Sequence, residues 1–173
     1  MTRSDLQGSR DSYPIELLNM KHQYVVVFGP DVLAELALDK CHIRLQLERE
    51  LRGKLLLMRR GYLDTEGKVR KIRELIAVSL TAFVSLFGAL LYLKDREIPR
   101  IRRDIIIIAG EAFGIDAAVF HQCEQIRGKT DRLSPKEVKA LFFAYLKEAG
   151  RLCDRIEGMD VQDQATAFNK RNN

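Results

Sequence analysis

An uncharged run of nineteen residues, Leu75 to Leu93, stands out because 31% of the residues in the chain are charged. At about 1.5 Å of rise per residue, a helix of this length reaches roughly 28 Å, which is close to the hydrocarbon thickness of a bilayer. The run therefore has the length of a membrane span, and equally that of the central helix of a soluble bundle. The distribution of side-chain sizes around the helix separates these two interpretations.

Large and small side chains occupy opposite halves of this helix when they are placed at 100° per residue. The small half contains Ala77, Thr81, Ser85 and Gly88. In a bundle, the large half fills the core while the small half lets a second surface approach the backbone closely. We therefore favour a buried helix, with a membrane span as the alternative because small residues also mark contacts between transmembrane helices. Another helix, a second subunit or a catalytic domain is predicted to lie against these four residues.

Composition favours a reduced, cytoplasmic protein. The net charge of +5 results from 29 basic and 24 acidic residues that are interspersed, so the chain is moderately basic without a charged tail. Cys41, Cys123 and Cys153 are odd in number and fall in helical patterns, which is typical of free thiols. The polar N-terminus lacks the apolar stretch of a secretory signal. These features predict a cytoplasmic location and no metal site.

The order of elements predicts an all-α fold, an antiparallel helical bundle of four to five main helices with a short N-terminal β-hairpin. The hairpin is predicted from two short apolar runs, Ile15 to Met20 and Gln23 to Phe28, which Gly29 and Pro30 close. Residues 1–30 would form this strand-containing segment, residues 31–160 the bundle, and residues 161–173 a disordered tail.

Apolar spacing and capping residues place the helices of the bundle. They are expected over about Asp31 to Leu38, Lys40 to Leu63, the uncharged run extended to Arg96, Arg100 to Phe113, Asp116 to Ile126, and from Ser134 through Ile156. The four isoleucines from Ile105 to Ile108 have strand propensity. A helix is still favoured there because apolar residues share one face. The last helix has the clearest start, a capping box formed by Ser134 and Glu137.

Catalytic motifs are sparse. The three histidines, His22, His42 and His121, have no acidic or cysteine partners at catalytic or metal-ligand spacing. Walker and dinucleotide-binding glycine loops are absent. Gly8 and Ser9 are similar to the turn that opens a nucleotidyltransferase site, but the two carboxylates that would hold Mg²⁺ do not follow.

Basic residues cluster near the turn between the two long helices, and phosphate binding is a hypothesis for them. The cluster comprises Arg59, Arg60, Arg70 and Arg73. A second basic set, Arg100, Arg102 and Arg103, allows the same interpretation. A solvated helix end is the alternative for both sets, because few aromatic residues interleave with the bases.

Several segments resemble the C-terminal portion of a bacterial family of nucleotidyltransferase-like proteins. The resemblance depends mainly on YPIELLNMK, LQLERELRGKLL and FGID, and it extends from about Thr2 to Met159. In that family a polymerase β-like catalytic domain comes first and a helical, substrate-binding-like bundle follows. The resemblance implies that the catalytic half would lie upstream of Met1, and that Glu16 could stand where such proteins place a further acid.

The resemblance thus implies a helical substrate-binding or accessory domain that is not catalytic on its own. Mg²⁺ would enter only with a catalytic partner, so no cofactor is expected in this chain. The expected partner is a nucleotidyltransferase catalytic domain or a second copy of the chain. The alternative functions are a protein–protein interaction or oligomerisation module and a basic nucleic-acid-binding protein.

Overall fold

The computed structural model describes residues 8–34 and 36–159, and the secondary structure in these ranges is entirely helical. Its six helices are α1 (Pro14–His22), α2 (Lys40–Asp64), α3 (Val69–Leu93), α4 (Arg102–Phe113), α5 (Ala117–Arg127) and α6 (Pro135–Glu157). The all-α class is therefore confirmed. The expected bundle of four to five main helices is not supported, because the described residues contain six helices.

The uncharged run lies at the centre of the fold, where α3 contacts each of the other five helices. Its large half is buried, with Phe83, Phe87 and Leu90 fully inaccessible to solvent. Among the described helices, α3 is the one long and apolar enough to cross a bilayer, and 56% of its most apolar 18-residue window is buried inside the bundle. The apolar run is thus accounted for by helix packing within the chain.

The predicted N-terminal β-hairpin is wrong, because its first strand is helix α1. Pro14 is the first residue of this helix. Its fixed φ favours helical backbone there, and its missing N–H breaks no hydrogen bond, because the first N–H groups of a helix have no partner within the helix. Burial then decides the structure, since Ile15, Leu17 and Leu18 all enter the core. The Ile15 N–H also donates to Gln46 Oε1 on α2 at 2.9 Å. The second predicted strand, Gln23 to Phe28, has no strand to pair with in the described residues.

The longer helices agree with the sequence prediction to within a few residues. Asp39, Asp116 and Ser134 cap α2, α5 and α6 through side-chain oxygens, and the capping box with Glu137 is complete. Helix α3 ends at Leu93 instead of the predicted Arg96. The predicted helix from Asp31 is reduced to a turn, in which Asp31 Oδ1 accepts from the N–H groups of Leu33 and Ala34. The predicted disordered tail, residues 161–173, lies outside the described residues.

The isoleucine run forms α4, as predicted, and a tight turn connects it to α5. Gly114 ends α4 in the left-handed region at φ 60°, where a side chain would be strained. One turn earlier, Gly110 lies against the start of α5. A Cβ atom at Gly110 would lie 2.9 Å from Ala117 Cβ and 3.1 Å from the Ile115 carbonyl oxygen. This glycine therefore sets how closely α4 and α5 approach.

Substituting two helical glycines with alanine should change stability in opposite directions. At Gly53 an added Cβ atom would have no neighbouring atom within 4 Å, so Gly53→Ala should raise the free energy of unfolding by about 0.5–1 kcal/mol. Gly110→Ala gains the same helix propensity but forces α4 and α5 apart, and overpacking costs about 1–3 kcal/mol. Urea unfolding of both variants gives the comparison. Equal stabilisation by the two substitutions would show that the contact at Gly110 is not tight.

Candidate functional site

The four arginines predicted to bind phosphate have different environments. Arg73 makes two short bonds to Asp131, at 2.7 and 2.6 Å, and its other nitrogen donates to the Leu133 carbonyl at 2.8 Å. The hydrogen bond from Arg73 is the main cause that lowers the pKa of Asp131 below its ordinary value. Arg73 therefore holds the connection between α5 and α6 against α3.

The other three arginines of that set remain on the surface. Arg70 lies 3.4 Å from Glu74 on the same helix and is largely exposed. Arg59 and Arg60 are exposed on α2 and form no ion pair within the described part of the chain. The structure consequently leaves two unpaired arginines near the turn between α2 and α3 instead of a converging cluster of four.

The small half of α3 is covered at one end and open at the other. Gly88 is buried, and a Cβ atom there would lie 3.6 Å from Ile98 and 3.8 Å from Asn19 Oδ1. The surface that approaches α3 closely at this point belongs to α1 and to the connection before α4. Thr81 and Ser85 are exposed, and Ala77 is half-buried. A partner against these three residues stays a prediction.

A cavity of about 280 Å³ opens beside the covered end of the small half. Helix α1 contributes its last turn, α3 contributes Ser85, the connection between α3 and α4 contributes Arg100, and α4 contributes Arg102. The lining consists of Asn19, His22, Gln23, Val84, Ser85, Gly88, Ile98, Arg100, Arg102 and Ile105. Two members of the second basic set predicted from the sequence, Arg100 and Arg102, therefore meet two members of the predicted interface, Ser85 and Gly88.

A polar cluster lies behind this cavity, between α4 and α5. The Arg102 Nε donates to Glu124 Oε1 at 2.6 Å, and His121 Nδ1 lies 3.8 Å from the other oxygen of the same carboxylate. Arg102 Nη2 and His121 Nε2 are both buried without a hydrogen-bond partner in the structure. Buried polar nitrogens are almost always hydrogen-bonded in native proteins, so these two nitrogens are exceptions to the usual pairing.

An exposed apolar segment, Tyr24–Phe28 (YVVVF), follows α1. Val25, Val27 and Phe28 are 84%, 93% and 98% exposed. No hydrogen bond joins the backbone of Val25 through Phe28 to any other described part of the chain. The Tyr24 hydroxyl donates to Asp31 Oδ2 at 2.7 Å, which fixes the segment at its start. Side chains of this kind normally lie inside a protein, so several adjacent ones in solvent indicate an interaction site.

Side chains that could hold a metal ion do not cluster in residues 8–34 and 36–159. No three His, Cys, Asp or Glu side chains there are placed to hold a metal ion. Glu16, which the resemblance singles out, accepts a hydrogen bond from Gln46 Nε2 at 2.8 Å. Burial raises the pKa of the Cys123 and Cys153 thiols, which keeps them in the unreactive protonated form.

The sequence indicates these features unevenly. The exposed segment is apolar and strand-like in sequence, but its exposure depends on the lack of a pairing strand among the described residues. The cavity combines groups from three separate parts of the chain, and no local motif connects them. Comparison with protein-family models, curated proteins and solved structures found no match.

Proposed function

We infer that this chain is an accessory helical domain that works by docking onto another polypeptide, and that the partner is a nucleotidyltransferase-like catalytic domain. The observation that carries this proposal is the exposed segment Tyr24–Phe28. The choice of partner depends on the resemblance to the helical portion of nucleotidyltransferase-like proteins. In this arrangement the helical bundle forms one wall of a substrate cleft, and the partner supplies the carboxylates and Mg²⁺.

The mode of docking follows from the backbone of the segment. Residues with high strand propensity and unpaired N–H and C=O groups can add as a strand to the edge of a sheet in another protein. Exposure alternates along the first four residues, since Val25 and Val27 are almost fully exposed while Tyr24 and Val26 are less so. One face of an added strand would therefore be fully available to a partner, as the period-two geometry of a strand requires.

The exposed face of α2 is a less suitable interface between two copies of the chain than the segment Tyr24–Phe28 is for a partner. Exposed leucines occur along α2 at Leu45, Leu56 and Leu63. Exposed arginines, including Arg59 and Arg60, interrupt them on the same helix. Two copies that met along this helix would bring like charges together, which is unfavourable at an interface. The exposed segment, by contrast, has no charged residue.

Charge substitutions in the exposed segment should abolish the complex with the catalytic domain. The experiment mixes the purified chain with a nucleotidyltransferase-like catalytic domain encoded in the same genome, and light scattering after gel filtration measures the complex mass. A one-to-one complex is expected. Val27→Lys and Phe28→Asp should prevent it, because each would bury an unpaired charge at the interface. Both residues are almost fully exposed in the isolated chain, so folding should be unaffected.

Leu56→Lys is the matched control, since Leu56 is also a well-exposed apolar residue but lies on α2. It should leave the complex intact. A stable homodimer that forms through the segment would favour the alternative, an oligomerisation module. Binding of nucleic acid that weakens steeply with salt and needs Arg59 and Arg60 would favour the nucleic-acid-binding alternative. Either result, or the absence of any complex with the catalytic domain, would contradict the proposal.

A further inference from the structure

The cavity beside α3 has the charge and shape of a small-anion site, and it is separate from most of the exposed segment. Its lining contains two arginines, Arg100 and Arg102, and no carboxylate, and the charge of Arg102 is balanced by Glu124 outside the lining. Arg100 forms no ion pair with any described residue, so its charge is not neutralised within the described part of the chain. A concave surface with excess positive charge raises the local concentration of anions.

Arg102 supplies a donor that is already held in place. Its Nε is fixed by the bond to Glu124 Oε1, while Nη2 is buried with no hydrogen-bond partner. Arg102 also lines the cavity with a side chain that is about one-third exposed, so a ligand oxygen can reach the exposed part of its guanidinium. Because Glu124 fixes the guanidinium, little side-chain entropy is lost when the ligand binds. Arg100 is exposed and also lines the cavity, so its guanidinium can contact the same ligand.

The remaining lining restricts what the anion can carry. Val84, Ile98 and Ile105 form an apolar wall, which favours an organic group over a bare ion. The volume of about 280 Å³ is at the lower end for small-molecule pockets, so a ring-sized group is the largest that would be enclosed. Arginine forks match the terminal oxygens of a phosphate, and two arginines, Arg100 and Arg102, line this cavity.

We propose that this cavity binds a small organic phosphate, with Arg102 and Arg100 on the phosphate and Ile98 and Ile105 on its organic group. The proposal does not depend on docking through Tyr24–Phe28, because the cavity is formed by α1, α3, α4 and the connection between α3 and α4 within one chain. Ser85 lines the cavity, is exposed and has no charge, so a larger side chain there would reduce the space for a ligand without changing the electrostatic field.

Calorimetric titration of the purified chain with phenyl phosphate, inorganic phosphate and benzoate tests the site. Phenyl phosphate should bind with a dissociation constant of roughly 0.1–1 mM, at least about fivefold more tightly than either other probe. Arg100→Gln should weaken binding about tenfold, since it removes one charge-assisted contact. Ser85→Leu should abolish binding by filling the entrance, and Ser85 is exposed, so circular dichroism should remain unchanged.

Arg103→Gln is the control, because Arg103 is the adjacent arginine in the sequence set and does not line the cavity. It makes the same change in net charge and should leave the affinity for phenyl phosphate within about twofold of the unsubstituted chain. Equal weakening by Arg100→Gln and Arg103→Gln would show diffuse attraction and overturn the proposal. Binding of benzoate as tight as phenyl phosphate, or no binding at millimolar concentration, would also overturn it.

Discussion

Phe87→Ala should lower the free energy of unfolding by about 3–5 kcal/mol, the largest stability change expected from one substitution in this chain. Phe87 lies on the large half of α3 and is fully buried. Its ring meets that of Phe120 on α5 edge to face, with centroids 5.2 Å apart. Removing it deletes this contact and opens a cavity at the centre of the bundle, where α3 contacts the other helices. Chemical denaturation followed by circular dichroism measures the change.

Phe143→Ala provides the comparison, since Phe143 is half-exposed on α6 and contacts Tyr62 at its rim. Its loss should cost about 1–2 kcal/mol, less than the loss of Phe87, because about half of the Phe143 side chain is already exposed to water. Similar destabilisation by the two substitutions would mean that the uncharged run does not fill the core of a soluble bundle. A requirement for detergent during purification would also contradict the claim that the other helices of the chain bury the uncharged run.

Alkaline pH should destabilise the fold because two buried groups cannot ionise in place. Burial is the main cause that raises the pKa of Cys123 and of Tyr145 above their ordinary values. Above about pH 8.5 the unfolded chain loses the cysteine proton while the folded chain keeps it, and above about pH 10 the same holds for the tyrosine. The folded state then binds more protons, so stability falls as pH rises, by up to about 1.4 kcal/mol per pH unit for each group.

Cys123→Ala isolates the cysteine contribution. Between about pH 8.5 and 10.5 this variant should lose about 2 kcal/mol less stability than the unsubstituted chain, because it has one group fewer to deprotonate on unfolding. Urea denaturation at a series of pH values measures both curves. Cys153 and Tyr145 remain in the variant, so its free energy of unfolding should still fall as pH rises, but by a smaller amount. Parallel curves would show that Cys123 ionises equally well in both states.

Most of the helices are predictable because each carries its own signals. The capping box at Ser134 and the apolar spacing of α2 are local, and local patterns agree with the global fold in these elements. The error at the N-terminus has a tertiary cause. Strand propensity in Ile15 to Met20 is overridden by the burial of Ile15, Leu17 and Leu18 against α2 and α3. A short apolar run does not reveal which of these surfaces it will meet.

The candidate sites are less accessible to sequence reasoning, because they depend on contacts between distant residues. Arg73 lies in a basic cluster in the sequence, yet its side chain donates hydrogen bonds to Asp131, which lies 58 positions later. Arg100 and Arg102 resemble that cluster in sequence, but only the fold brings them to Asn19 and His22 from α1. The charge of each residue can be read from the sequence, whereas its pairing depends on tertiary structure.

Hydrogen exchange of the amides of Val25, Val26, Val27 and Phe28 tests most directly whether this segment is the docking strand. In the isolated chain these amides have no hydrogen-bond partner among the described residues and should exchange at nearly the rate of an unstructured peptide. On addition of the catalytic domain, exchange at alternate amides should slow by at least about a hundredfold, because strand addition pairs every second N–H with the sheet edge. Strong protection in the isolated chain, or unchanged exchange in the complex, would contradict the account.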